Sequence, residues 1–524
     1  MADSNNRYDG IVIGSGLGGL TAGALAAKAG ARVLLLERHY LFGGAATVFK
    51  RKKMQIEVGL HELDGLDEGD VKYPLFQRLG LFEQLTFVPV PEFYTLRHPQ
   101  LGDAPFVMPE GVERAQAAVT TRFPQHAEGI KQWFATLIAI RTKLRTLSDH
   151  SHDRGWMLRH LPTFPIQFRE IVRFEKMTVG TFLQQLFGDD EAIKLLLCAN
   201  LAYYSASPDL SLLYFAAAQG SYHAGGGHYI KGGSQQLSNL LVKQIEQAGG
   251  RALSRRTAVE ILVEKGRAVG VRHLNHQGED AQCDYAPVIM GNAAPNLLAD
   301  MLPEKFAEPM RRKHAAQKLS PSLWSLYLGL DSSPNALGME GYSNFIMPSW
   351  MERLDQLAEN SDLLSAMPAE KMPYFVATNY DRLAHGLEGG GQSLVVLCGL
   401  DRLENWQGLE EEAYRSKKAA WQQAIIEALL KQFPKLADHI VYQEMATART
   451  VAHYLNTPGG AVYGYSQALT SAGRKRSKAQ TDLPGLYLAS AFASPGGGFT
   501  GAMLAGQNAY RSAARQIGWP IKWD

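Results

Sequence analysis

Sulfur chemistry has little to work with in this chain. Its 524 residues include only three cysteines, Cys198, Cys283 and Cys398. They are scattered, with no C-x-x-C pair and no ligand spacing, which excludes a disulfide framework, a zinc ribbon and an iron–sulfur cluster and fits a reducing compartment. Charge of one sign is equally scarce. The 53 basic and 51 acidic side chains leave a net charge of +2, so neither a nucleic-acid partner nor an acidic tail is indicated. Long apolar runs are missing too. The uncharged span from Gly10 to Ala27 approaches the length of a membrane helix, but its glycines interrupt it, and no transmembrane segment is expected. The opening MADSNNR has neither the charged nor the apolar region of a secretory signal. No internal repeat or low-complexity tract is found. The His-rich stretch Asp149-His150-Ser151-His152-Asp153 lacks further ligands at matching spacing and reads as a polar loop, so no metal is expected. With 46% hydrophobic and 20% charged residues, the chain has ample material for a core.

What is present is concentrated in the first forty-four residues. Ile11-Val12-Ile13 is a short β-branched run suited to a buried parallel strand. Gly14, Gly16 and Gly19 follow as a G-x-G-x-x-G turn, with Leu17 and Gly18 in its variable positions, and lead into a helix of small residues from Leu20 to Ala29. Arg32 to Leu36 reads as the second strand, and Glu37 stands at its end. The first glycine allows the tight turn, the second lets backbone approach a pyrophosphate, and the third lets helix and strand pack closely. The free N–H groups at the helix start then meet the phosphate charge. Glu37 lies about 20 residues on, the offset of an acid that binds a ribose hydroxyl. Six residues later Gly43-Gly44 lets the chain pass something planar and bulky, which favours a flavin over a nicotinamide. Arg38 and Ala45 flank these positions as further cofactor-binding candidates.

With these residues and the following MQIEVGLH, Met54 to His61, in view, the chain resembles the phytoene-desaturase-like flavoproteins, above all the branch with carotenoid isomerases and retinol saturases. The resemblance implies a glutathione-reductase-like, Rossmann-type α/β domain that binds FAD, with an inserted α+β substrate domain. It also implies a discontinuous layout: residues 1–70, 225–296 and 444–524 for FAD, and 71–224 with 297–443 for the substrate. By the same resemblance, Val259 packs on the adenine, VIMGNAAP from Val288 to Pro295 leaves the sheet, and Gly498, Phe499 and Thr500 complete the site from the C-terminal end. It covers the cofactor segments well and the two inserted segments poorly. Three positions depart from the pattern: Glu57 replaces an aspartate, Ser490 a glycine, and Ala493-Ser494-Pro495 a Thr-His-Pro of many desaturases. The last weakens a transfer of desaturase chemistry in particular.

Between the cofactor segments, helical spacing is expected over Lys131–Leu147, Thr181–Phe187, Ala192–Tyr204 and Glu411–Phe433, with strands at Ser322–Leu330 and Ser393–Leu400. Oxidised flavin accepts hydride, and the resemblance implies that it serves desaturation, saturation or cis/trans isomerisation of a C–C bond in a long apolar polyenoid or isoprenoid molecule. His61, Glu62, His453 and Tyr463 are the candidate proton-transfer groups; each has a plain structural alternative. A single dinucleotide fingerprint leaves oxygen, a quinone or a protein as the external electron partner. Two basic clusters, Lys50 to Lys53 and Arg474 to Lys478, read as solvated turns or as docking points on an anionic membrane, the latter helped by the Lys131–Leu147 helix. The expected location is cytoplasmic, with peripheral membrane contact as an option. Two rival readings share the cofactor domain: a flavin amine oxidase, and a non-enzymatic lipid carrier of the GDP-dissociation-inhibitor type.

Overall fold

The computed structural model describes residues 6–150 and 153–519. Ser151 and His152 of the expected polar loop, and Met1 to Asn5 of the opening segment, lie outside the described residues. Strand β1 (Gly10–Ile13), helix α1 (Leu17–Lys28) and strand β2 (Val33–Leu36) form the opening βαβ unit. Its two strands pair in parallel, Ile11 opposite Leu34. The sheet has five strands, ordered Arg251–Leu253, β2, β1, Ile289–Gly291 and Leu486–Leu488, all parallel. Chain segments more than 450 residues apart in sequence therefore share one sheet, with their carboxyl ends along one edge.

Helix α1 explains its own composition. All eleven residues from Leu17 to Ala27 are buried, as expected of a helix with no polar face. The C-terminal helix Gly498–Ile517 crosses it closely, because a Cβ on Gly506 would lie 2.1 Å from the Gly18 carbonyl oxygen. Helix Ser234–Gln247 presses from another side, with Ile245 against Gly23. Only small side chains fit between such neighbours.

A second, seven-stranded sheet carries the other half of the molecule. Its order is Ile440–Ala446, Ser322–Leu330, Ser393–Asp401, Phe375–Asn379, Ser343–Ile346, Tyr94–Arg97 and Phe106–Met108. Every pairing is antiparallel except that of Ser343–Ile346 with Tyr94–Arg97. Alternation sorts its residues: Leu326, Leu328, Val395 and Leu397 pack under helix Glu411–Gln432, against Trp421, Ile425 and Leu429. Tyr327, Leu394 and Val396 point the other way, into the core shared with the parallel sheet. Strand Ile440–Ala446 straddles the boundary expected at residue 444. A small sheet of Leu63–Asp64, Gly227–Ile230 and Phe87–Pro89 joins the two halves.

Most expected elements are present, with longer ends. The Lys131–Leu147 helix runs from Ala127 to His150, so Asp149 and His150 end a helix rather than form a loop. Its apolar side is buried against helix Leu212–Gly225, through Trp133, Phe134 and Leu137. That removes it as an exposed membrane-facing element. Ala192–Tyr204 is two pieces, an α-helix over Glu191–Leu197 and a 3-10 turn over Ala199–Tyr203. The Gly10–Ala27 span divides into strand, turn and helix, and no helix among the described residues is long and apolar enough to cross a membrane.

Candidate active site

The carboxyl edge of the parallel sheet is where a ligand meets such a fold, between strands whose connections run opposite ways. Here that point lies between β1 and Ile289–Gly291. On one side is the Gly14–Gly19 turn, on the other Asn292, whose Oδ1 accepts the Gly19 N–H at 3.0 Å. The N-cap residue Gly16 has no side chain to cap α1, so the amides ahead of Gly19 are left for an anion. A Cβ on Gly16 would fall 2.6 Å from the Asn292 amide nitrogen, and one on Gly19 2.3 Å from the Gly14 carbonyl. Glycine is required at both. Gly18 serves packing as well, since its Cβ would lie 2.0 Å from the Ala489 carbonyl oxygen.

Glu37 organises the far side of the glycine turn. Its Oε2 accepts from the Ser15 N–H at 2.8 Å and the Ser15 hydroxyl at 2.6 Å, and its Oε1 from the His39 N–H at 2.7 Å. A carboxylate has about four acceptor positions, so one direction remains for a ribose hydroxyl. The Gly43 N–H donates to Ser15 Oγ at 3.1 Å, which draws the second glycine pair against the turn; Gly16 and Gly43 form an isolated bridge. Gly44 and Ala45 are exposed there. The Ala45 carbonyl also meets Gly59, tying this loop to the strand that leads to His61. Past Glu37 the Arg256 N–H donates to the Glu37 carbonyl at 2.8 Å, and Val259 follows half-buried at a β-bulge in strand Arg256–Glu264.

The residues present fit FAD on a further observation. Ser490, next to the Ala489 that lies against Gly18, has a buried hydroxyl without a protein partner. Buried hydroxyls are almost always satisfied, and a ligand at this edge would satisfy it. Glu57, another departure from the family pattern, has a fold role. Buried, it accepts from the Ser234 N–H at 2.8 Å, the Ser234 hydroxyl at 2.6 Å and the Leu60 N–H at 3.1 Å, and so closes the start of helix Ser234–Gln247.

The third part is a cluster of tyrosines. Burial pushes the phenols of Tyr203, Tyr204, Tyr222 and Tyr463 above their ordinary range. His61 joins them, its Nδ1 2.8 Å from Thr378 Oγ1 and its ring 6.0 Å from Tyr203; burial lowers its pKa to about 4, so the ring is neutral. Glu62 follows. Burial, with Glu110 and Glu92 nearby, holds its carboxyl well above the usual range against a 2.6 Å hydrogen bond donated by Ser343 Oγ. Tyr463 lies against Gly497, at the start of the C-terminal helix. From that helix Thr500 donates to Asp64 at 2.6 Å.

Of the four proton-transfer candidates, the fold thus brings His61, Glu62 and Tyr463 to one cluster around Tyr203. It does not bring His453. That residue is exposed on helix Ala448–Leu455, and its carbonyl and that of Tyr454 accept from the Arg38 guanidinium. Arg38 is thereby a tether between Glu37 and that helix end, and the pair sits beside Glu37 rather than in the tyrosine cluster. Ser15, Asn292, Asp64 and Lys72 were not singled out by sequence. Lys72 is fully buried, 2.8 Å from Asp70 and 3.4 Å from Asp64. Burial acts on both acids. At Asp70 the closer ammonium overcomes it and lowers the pKa, whereas at Asp64 burial prevails and raises it. The signal for this network was Asp64 and Asp70 close behind His61, invisible without the turn that folds them onto one lysine.

The basic clusters are partly consumed by structure. Lys50 and Arg51 pair with Glu388 and Glu444. Arg476 is buried and donates to the carbonyls of Ala493, Tyr465, Ser466 and Ala491, so it is no surface charge. Among the described residues no cluster of ligands could hold a metal ion.

Comparison with known proteins agrees with this geometry. Residues 17–514 match the family described as flavin containing amine oxidoreductase. The chain is 24% identical to all-trans-retinol 13,14-reductase of Rattus norvegicus, over 92% of this chain and 82% of that protein. It is also 24% identical to the chloroplastic prolycopene isomerase of Daucus carota, over 98% and 81%. An engineered putrescine oxidase shares the fold with a TM-score of 0.63 at 14% identity, over 98% of this chain and 99% of that one. An oxidoreductase from Methanosarcina mazei does so with a TM-score of 0.57 at 15% identity, over 97% and 100%. A glycine turn, an acid at the second strand and a closing C-terminal helix, matched along almost the whole chain, place this protein in the flavin-containing amine oxidoreductase family, as an FAD-dependent enzyme.

Proposed function

We propose that this enzyme saturates or isomerises a C=C bond of a long apolar polyene. The observation that carries the reading is the buried tyrosine cluster around Glu62, whose carboxyl burial holds well above its usual range. Relatives named for retinol reduction and prolycopene isomerisation support the substrate class. An amine oxidase would receive a cation, which gains nothing from a carboxyl kept neutral.

Gly14, Gly16, Gly19, Glu37, Gly43, Gly44 and Ser490 would hold FAD along the sheet edge, and Thr500 and Tyr463 would stand at its flavin end. Bound there, FAD supplies hydride transfer to or from carbon. The chain's own residues govern the proton. Burial raises the Glu62 carboxyl well above its usual range and so favours its protonated form, and Ser343 fixes its Oε1, which suits the carboxyl to the role of general acid. Glu110, raised by burial to about 7 and flanking Gly227 together with Glu62, returns the proton from the surface side. Neutral His61 and the tyrosines exclude water and contact the polyene through their rings. The electron partner is oxygen, a quinone or a protein, and the apolar substrate comes from a lipid surface.

The test uses purified holoenzyme, reduced without oxygen and mixed with all-trans-retinol or a cis-carotene. Saturation bleaches the polyene band as flavin reoxidises; isomerisation shifts the band with no net oxidation. Amine turnover with peroxide release, and no change in either polyene, would overturn the reading.

A further inference from the structure

One surface of the molecule presents side chains that water does not favour. Exposed large apolar residues number eleven among the described positions, and five of them, Met157, Leu158, Leu161, Ile166 and Val172, crowd into sixteen residues. Leu158, Leu161 and Ile166 are 71, 65 and 76% exposed. Scattered exposed aliphatics need no explanation, but a contiguous group does.

The segment is a run of short helices, Arg154–His160, Phe164–Gln167 and Arg169–Phe174. Its inner stripe is aromatic at four-residue spacing. Trp156 stacks on His160 with ring centroids 4.0 Å apart and on His150 at 4.4 Å, and Phe164 stacks on Phe168 at 4.8 Å. The outer stripe is therefore not a misplaced core face; the core face is already used. From Arg154 to Lys176 there are five basic residues and two acidic ones. Both acids are engaged, Glu170 with Arg169 at 2.8 Å and Glu175 with Arg474 at 2.9 Å. The second contact brings the Arg474–Lys478 cluster to the edge of the same face. Arg159, Arg173 and Lys176 are exposed and form no ion pair among the described residues.

We propose that this face lies on an anionic lipid bilayer, with the aliphatic tips in the headgroup boundary and the basic residues at the phosphates. Helices with an aliphatic outer face and a basic rim bind in that way. A second copy of the chain is a poorer occupant, because a twofold contact would set the positive surplus against itself. Helix Arg169–Phe174 packs on helices Ala127–His150 and Leu212–Gly225, and the latter carries Tyr214 and Tyr222. That end of the face thus lies one helix away from the tyrosine cluster, a short path for an apolar substrate. That purpose rests on the proposed substrate class; the binding itself does not.

The experiment is co-sedimentation of the holoenzyme with vesicles of phosphatidylcholine alone and of phosphatidylcholine mixed with phosphatidylserine. Wild type is expected to pellet with the mixed vesicles and to be released by salt. Leu158→Ser with Ile166→Ser should lower the vesicle partition by roughly tenfold or more, with flavin content unchanged. Arg159→Glu with Arg173→Glu should weaken binding to the mixed vesicles only. Failure of wild type to bind, equal binding by the serine variant, or a wild-type dimer that the serine variant dissolves would each overturn the proposal. Binding is read without turnover, so failure of the polyene reading would leave this result standing.

Discussion

Replacing Glu62 with glutamine separates the proton from everything else the residue does. Glutamine keeps the shape and still accepts the hydrogen bond from Ser343 Oγ, now 2.6 Å from Glu62 Oε1. It also relieves a site where burial, Glu110 and Glu92 all oppose a second negative charge, so the fold should be unharmed. What it cannot do is release a proton. Loss of a positioned general acid lowers the rate by about 10²- to 10⁴-fold, a barrier increase of roughly 3–5 kcal/mol. The assay is stopped-flow reoxidation of reduced holoenzyme by the polyene, followed by flavin absorbance. The same assay against pH gives the second half of the prediction. Glu110 is raised by burial to about 7, against the hydrogen bond from the Gly227 N–H and the charge of Arg114 and with the help of Glu92. Proton return through it should fail as pH rises past about 7, and Glu110→Gln should remove that limb of the profile. A Glu62→Gln enzyme that reoxidises at the wild-type rate would refute the assignment. So would an unchanged pH profile in Glu110→Gln.

The same carboxyl has a stability consequence. The folded chain binds the Glu110 proton more tightly than the unfolded chain, so stability falls as pH rises from 4.5 to about 7. The loss is up to roughly 3 kcal/mol, measurable by denaturation of wild type beside Glu110→Gln, which should lack it. Lys72→Met strands two buried carboxyls and should cost about 3–5 kcal/mol, seen as a lowered melting temperature that Asp70→Asn partly restores. Ser490→Ala should weaken FAD by about 0.5–1.5 kcal/mol while leaving the FAD-free protein as stable or more so, because an unpaired buried hydroxyl has been removed; unchanged FAD affinity in a titration would count against a cofactor contact there. Gly19→Val places carbon atoms against the Gly14 carbonyl and Val12 and should yield protein without flavin, scored by absorbance.

The amino-acid order alone specified the parts that depend on neighbours in sequence. The βαβ unit was legible because its strand, turn and helix each rest on local backbone chemistry, and Gly14, Gly16 and Gly19 have no other reason to stand at those spacings. The Ser322–Leu330 strand and the Glu411–Gln432 helix were legible from the period of their apolar residues. The resemblance carried the C-terminal helix, which does lie across α1. What tertiary structure decided was every property set by burial and by partners far along the chain. The Glu62 carboxyl stands well above its usual range only because the fold buries it beside Glu110 and Glu92. His453 is set aside only because helix Ala448–Leu455 turns it to solvent, and Arg476 left the basic patch because four distant carbonyls surround it. The Lys131–Leu147 helix lost its outward role, and residues 157–172 gained one, because a helix's spacing shows that it has an apolar face and only its neighbours show whether that face is covered.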